Sequence, residues 1–276
     1  MKFNKLAILG SGSMGTAILA GLLRRGVDSG QVVASTKTEA TASRLADEFG
    51  ITAIATETNA NANADAVVDA DIVLVAVKPG YVIEVLNEVA ANLKPGSLVI
   101  SVAAGITTAA MQGAVADNVA VVRAMPNTPA IVGRAVTGLA AGSRVTPEQL
   151  ATASELFESV GRVVVVGEDQ IDQLSTVSGS GPAYVFYFIE EFTKAAVELG
   201  FTPDQARMLV EETFLGASEL LAASGKTPAD LRRQVTSPNG TTMQAIAVFE
   251  QANLHELFGR ATAAALARAR EIAEGK

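Results

Sequence analysis

The sequence predicts an α/β N-terminal domain built on a mostly parallel sheet, followed by an all-α C-terminal domain. Up to residue 166, short β-branched apolar runs alternate with amphipathic stretches at helical spacing, the pattern of a sheet covered on both faces. From residue 169 onward only long helical patterns remain. The expected domains are therefore 1–166 and 167–276.

Residues 5–9 (KLAIL) read as a strand that ends in glycines and leads into a helix over 14–25. Strand 31–35 (QVVAS) and helix 39–49 repeat the unit, and the TNANANADA stretch, 58–66, reads as a short biased loop. Next come strand 72–77 (IVLVAV), helix 81–92, strand 97–103 (SLVISVA), helix 106–116 and strand 119–123 (VAVVR). Pro126 and Pro129 mark a turn before 131–140. Thr146 as cap and Pro147 at the first helical position open a helix over 147–160, and 162–166 (RVVVV) closes the sheet. The second half reads as helices over 169–177, 182–199, 203–224, 228–235 and 241–274, the last interrupted near Asn253. Residues 183–197, rich in aromatics, are apolar around most of a helix, which predicts burial on several sides. A second subunit satisfies such faces more readily than one chain does, so the helical half is expected to be a dimerisation domain and the protein a homodimer.

The chemical inventory is narrow. The 276 residues include no Cys, no Trp and one His, His255, which excludes a thiol nucleophile, disulfides and a zinc site made of Cys or several His. No metal site is expected, and a Ser-His-Asp triad would depend on His255, which reads as a surface or capping residue. The net charge of −8 divides into −2 over 1–165 and −6 over 166–276. An acidic surface repels phosphate backbones, so nucleic acid is not an expected partner. No apolar run approaches the roughly 18 residues that span a bilayer, so no membrane partner is expected. The N-terminus imitates a secretory signal, but Gly10, Gly12 and Gly15 break its apolar stretch and no cleavage site follows. The expected location is the cytoplasm.

Gly10-Ser11-Gly12-Ser13-Met14-Gly15 is a GxGxxG between a strand and a helix. In that setting the first glycine makes the turn, the second admits a pyrophosphate and the third lets helix pack on strand, which marks a Rossmann-type dinucleotide-binding domain. At the end of the second strand, where an NAD site carries Asp or Glu, stand Ser35-Thr36-Lys37-Thr38. Hydroxyls and a cation suit a 2′-phosphate, so NADP(H) is preferred, with NAD(H) as the alternative. Ala76-Val77-Lys78-Pro79-Gly80, Ser101-Val102-Ala103-Ala104-Gly105 and Arg123-Ala124-Met125-Pro126-Asn127-Thr128-Pro129 end three further strands on the same edge, as ligand-facing loops or as plain turns. Arg123 has no role assigned. Ser178-Gly179-Ser180-Gly181-Pro182-Ala183-Tyr184 and Thr236-Ser237-Pro238-Asn239-Gly240-Thr241-Thr242 precede long helices, either as carboxylate sites or as capped turns.

These motifs, GSGSMG, VAVKP, SVAAGI, RAMPNTPA, SGSGPAY and above all L-x3-V-T-S-P-N-G-T-T-x2-A-I with Phe249-Glu250, resemble those of the pyrroline-5-carboxylate reductases, in order from about residue 5 to the end. The resemblance implies a Rossmann domain, an interlocking helical dimerisation domain, active sites between two subunits and, in many members, a pentamer of dimers. It implies cofactor positions at Gly10, Ser11, Gly12, Ser13, Met14, Gly15, Ser35, Thr36, Asn63, Ala76, Val77, Lys78, Pro79, Ala103 and Ala104, to which the strand-end argument adds Lys37. It implies substrate positions at Glu168, Gln234, Ser237, Gly240, Thr241 and Thr242. Gln234 stands where members often carry Asn, and Asn239 stands where Gly is common and receives no role.

The implied reaction is NADPH-dependent hydride transfer to the C=N bond of 1-pyrroline-5-carboxylate, giving L-proline in the final step of its synthesis. Amides of Ser237, Gly240 and Thr241 would hold the carboxylate, and Thr242, the expected catalytic residue, would hydrogen-bond the ring nitrogen. One rival is a ketone reductase of the β-hydroxyacid dehydrogenase type, which needs an early Lys in the helix after a glycine-rich turn. Residues 183–193 contain none, and the first is Lys194. A nonenzymatic NADP-binding scaffold is the alternative from another class.

Overall fold

The computed structural model describes residues 3–273. The chain divides into two compact units, residues 1–180 with 266–276, and residues 181–265.

The first unit carries eight strands: β1 (Leu6–Leu9), β2 (Val32–Thr36), β3 (Thr52–Ala55), β4 (Ile72–Val75), β5 (Leu98–Ser101), β6 (Ala120–Met125), β7 (Ala135–Ala141) and β8 (Gly161–Val165). Its helices are α1 (Ser13–Arg24), α2 (Glu39–Phe49), α3 (Ala62–Val67), α4 (Val82–Val89), α5 (Thr108–Gly113), α6 (Pro147–Glu158) and α7 (Ile171–Leu174). The strands form one sheet in the order β3-β2-β1-β4-β5-β6-β7-β8, parallel except for the β6–β7 pair. Alternation along β1 assigns the two faces. Leu6 and Ile8 join Ile18, Leu22, Leu45, Leu156 and Phe157 from α1, α2 and α6, whereas Ala7 and Leu9 join Val67, Leu86 and Met111 from α3, α4 and α5. Because β1 neighbours both β2 and β4, the chain reverses direction across the sheet there, and the carboxyl ends of β1 and β4 flank the crevice in which open α/β sheets bind ligands.

The second unit holds α8 (Gly181–Glu198), α9 (Pro203–Ser224), α10 (Pro228–Gln234), α11 (Thr241–Gln251) and the first part of α12 (Leu254–Ala273). Thr202 and Thr227 close capping boxes, each followed by proline, at the starts of α9 and α10. Asn253, at φ 48°, breaks the α11–α12 run where the sequence placed an interruption. The unit's core is small: Ala196, Ala206 and Val210, with Ile189 and Phe214 packed against them.

Three expectations are corrected. The stretch read as a loop, 58–66, contains most of α3, because Ala62, Ala66 and Val67 recur at helical spacing and are fully buried. The aromatic segment within α8 is not buried on several sides in one chain: Phe186 is 65% and Tyr187 61% exposed, and Ala196 is the buried residue of the helix. Ser178 and Gly179 belong to neither an open loop nor a capped turn, since Ser175–Gly179 is a π-helical turn whose geometry engages the Ser180 amide with the Ser175 carbonyl at 2.8 Å. The edge strand β3, absent from the sequence reading, is an addition.

Candidate functional site

The glycine loop joins β1 to α1. Gly10 has φ 82°, and a Cβ there would stand 2.7 Å from Val77 Cγ1. A Cβ on Gly15 would stand 2.8 Å from the Gly10 carbonyl, so the third glycine is what lets α1 lie on β1. Gly12 differs from both, since a Cβ there would meet nothing within 4 Å. Beside it is open space, and Ser11, next to it, carries a buried hydroxyl without a partner among the described residues. A backbone cradle with room at its second glycine and an unengaged hydroxyl beside it fits a dinucleotide pyrophosphate. Ser13 is exposed at the first position of α1, and Met14 packs half-buried on the core.

The remaining expected cofactor positions line the same edge on adjacent strands. The Ala76 amide donates to the Leu9 carbonyl at 2.8 Å, holding the start of the 76–79 turn beside the glycine loop. Val77 is half-buried, and Lys78 and Pro79 are exposed. Ala103 is buried with its amide on Ser101 Oγ at 3.3 Å, and Ala104 is exposed. Ser35 and Thr36 are buried at the end of β2, and Lys37 is exposed beyond them. Asn63, on α3, accepts from Ser35 Oγ through Oδ1 at 2.6 Å and donates through Nδ2 to Glu88 at 3.0 Å.

Within β6, the buried Arg123 is the centre of an ionic cluster with the partly exposed Glu168 and Asp172. Arg123 is 3% exposed, its Nη1 donating to Glu168 Oε1 at 2.9 Å and its Nη2 to Asp172 Oδ1 at 2.7 Å. Glu168 Oε2 is buried and has no partner, which leaves an acceptor available to a ligand. Asn127, also buried, accepts from the Val136 amide and donates to the Ser178 carbonyl, each at 2.9 Å, and so pins the π-helical turn.

In the helical unit, Gln234 ends α10 exposed. The following turn brings the Gly240 amide to the Ser237 carbonyl at 3.1 Å, with Asn239 in the left-handed region at φ 60°, where Gly and Asn are the usual occupants. Gly240 is the N-cap of α11, and Thr241 and Thr242 are its first residues. Threonines 38, 107, 146, 202 and 227 cap α2, α5, α6, α9 and α10 with their side chains. By contrast, α1 and α11 start on Gly12 and Gly240 with no side-chain cap and no acidic residue in the first turn. Their first amides and positive dipole ends therefore receive no local side-chain cap.

The chain is similar to known proteins along nearly its whole length. Residues 168–272 match the family model described as pyrroline-5-carboxylate reductase dimerisation, and residues 5–105 the one described as NADP oxidoreductase, coenzyme F420-dependent. The pyrroline-5-carboxylate reductase of Pseudomonas aeruginosa is 38% identical over 275 residues, 99% of this chain and 98% of its own. The chain belongs to the pyrroline-5-carboxylate reductase family. A solved family structure from Coxiella burnetii is 36% identical with a TM-score of 0.92, covering 98% of each chain. A pyrroline carboxylate reductase from Plasmodium falciparum, solved with NADP bound, shares the fold at 24% identity and a TM-score of 0.81, again over 98% of each chain.

Three groups at the edge were not read as site residues from the sequence. Glu88 stands 25 residues from Asn63 and no local spacing marks it, whereas Asn127 lay within a strand-end motif but its Ser178 partner stands 51 residues away. Arg123 carried a signal, an arginine ending an apolar strand, but its carboxylate partners stand 45 and 49 residues away.

Proposed function

We propose that the chain reduces 1-pyrroline-5-carboxylate to L-proline with NADPH, and accepts NADH as the alternative donor. The observation that carries the reading is full-length similarity to reductases of that substrate, with both uncapped helix starts intact. When bound, NADPH supplies the hydride that adds to the C=N carbon.

The chain's part is to bind and orient. The first amides of α1 and the Ser11 hydroxyl hold the pyrophosphate, while Ala76 to Pro79 with Ala103 and Ala104 bed the nicotinamide end on backbone. The amides of Gly240 and Thr241, with Ser237, hold the substrate carboxylate at the start of α11. Thr242 Oγ1 hydrogen-bonds the ring nitrogen and Gln234 lines the loop, and the family resemblance adds Glu168 as a further substrate contact. The imine can take its proton from solvent before binding, so no side chain need act as a strong acid, and a chain with one His and no Cys can do the work. A homodimer built through the helical unit, multiplied to a pentamer of dimers in the cytoplasm, completes the reading.

The test follows NADPH absorbance. Oxidation with pyrroline-5-carboxylate and none with a keto acid is the expected result, whereas oxidation with the keto acid alone moves the protein to the β-hydroxyacid dehydrogenase type. Thr242→Ala is expected to lower kcat/KM for the imine about 10- to 100-fold, the size of one hydrogen bond to a charged group, with the KM for NADPH unchanged.

A further inference from the structure

In a Rossmann-type domain the carboxyl end of the second strand meets the ribose that carries, or lacks, the 2′-phosphate. The strand the sequence did not reveal, β3, decides what surrounds that position. Its parallel ladder with β2 continues beyond both strands: the Thr56 amide donates to the Thr36 carbonyl at 2.8 Å and the Glu57 amide to the Lys37 carbonyl at 3.2 Å. Glu57 is thereby fastened beside Lys37. Its Oε2 accepts the amide of Glu39, the first residue of α2, at 3.0 Å. A carboxylate of the chain therefore stands at the anion-attracting end of this helix, the place a nucleotide phosphate would favour. The Glu39 carboxylate is close by, accepting from Thr58 Oγ1 at 2.9 Å.

The hydroxyls that suited a phosphate are engaged elsewhere. Glu88, as a carboxylate, can only accept, so Asn63 turns its Nδ2 toward it and its Oδ1 toward Ser35. Ser35 must then donate inward and can only accept from a ligand. A ribose hydroxyl can donate to it, but a phosphate dianion has no hydrogen to give. Thr36 donates likewise to the Thr38 carbonyl at 3.0 Å. Of the side chains expected to favour a 2′-phosphate, Lys37 is the exposed one.

We propose that Glu57 is a specificity-determining residue that restrains the preference for 2′-phosphorylated nucleotides: Lys37 attracts the phosphate, Glu57 repels it, and NADH stays a usable donor because Ser35 and Asn63 serve an unphosphorylated ribose. The proposal rests on the dinucleotide-reductase reading above and is tested separately from the imine. Full-length wild type, Glu57→Gln and Lys37→Met are titrated calorimetrically with 2′,5′-ADP and with ADP. Glutamine keeps an oxygen for the Glu39 amide and removes the charge. Relief of one like charge near a surface dianion is expected to tighten 2′,5′-ADP by a factor of about 5 to 30 while ADP moves less than about twofold, and the gain shrinks as salt is raised. Lys37→Met weakens 2′,5′-ADP selectively, and the NADPH-to-NADH ratio of kcat/KM follows the binding ratio in both variants. An unchanged 2′,5′-ADP-to-ADP ratio in Glu57→Gln, or an equal shift of both ligands, overturns the role of Glu57. Wild type that binds neither ligand overturns the nucleotide reading itself, whereas nucleotide binding without imine turnover overturns only the assigned substrate.

Discussion

Gly10 and Gly12 stand two residues apart in one motif and face opposite constraints. Gly10 is held by backbone geometry and by Val77, whereas Gly12 borders open space. Gly10→Ala should therefore destabilise the fold by more than about 2 kcal/mol. Gly12→Ala should change unfolding stability by no more than about 0.5 kcal/mol, since its φ of −72° suits any residue. The Gly12 variant should nevertheless lose at least about tenfold in NADPH affinity, because the new methyl lies where the pyrophosphate approaches. Denaturant unfolding beside fluorescence titration of NADPH separates the two effects, and weakened folding in the Gly12 variant would contradict the cradle. The glycines themselves were legible in the sequence because strand, turn and helix occur within one short window. Arg123 was not, because a buried cation is explained only by its partners, and Glu168 and Asp172 reach it through the fold.

Elements with local punctuation were read well, and α2 and α9 fall on the expected residues because threonine caps, and for α9 a proline, mark their starts. The elements β3 and α3 escaped for the opposite reason. β3 is a short edge strand, largely half-exposed, with an apolar run of only three residues, Ala53-Ile54-Ala55, and α3 hides its buried alanines among asparagines. The fastening of strands can be tested at Asp71, just before β4. Its Oδ2 accepts the Asn4 amide at 2.6 Å and its Oδ1 accepts from Lys94 at 2.5 Å. Partial burial pushes the carboxyl up, but the Lys94 ammonium and the amides outweigh it and hold it below its ordinary value of 3.8. A lowered folded-state value means the contribution is fully present above about pH 4 and is lost as the pH falls through the folded value. Asp71→Asn should cost up to about 1 kcal/mol at neutral pH, and that deficit should fade in acid, as read by urea unfolding at a series of pH values. A deficit independent of pH would assign the effect to packing.

At the scale of the molecule, the unexplained surface is apolar. Phe186, Tyr187 and Phe192 on α8 are each more than half exposed in one chain, far more contiguous apolar side chain than a monomer ordinarily shows to water. The chain should sediment as a dimer or a larger closed assembly at micromolar concentration, and Phe186→Glu should shift it toward monomer. A wild type that stays monomeric across that range would leave these side chains without a purpose. Among the described residues no helix is long and apolar enough to cross a membrane.

By itself the sequence determined the fold class, the order of most elements, the place of the glycine loop and the family, because those are written in short-range periodicity and in motifs of a few residues. The tertiary structure alone decided which carboxylates meet Arg123, how Asn63 is turned, and that an unforeseen edge strand carries Glu57 to the end of β2. Those are long-range pairings. Their strength depends on burial and on distances between residues that chain spacing does not encode.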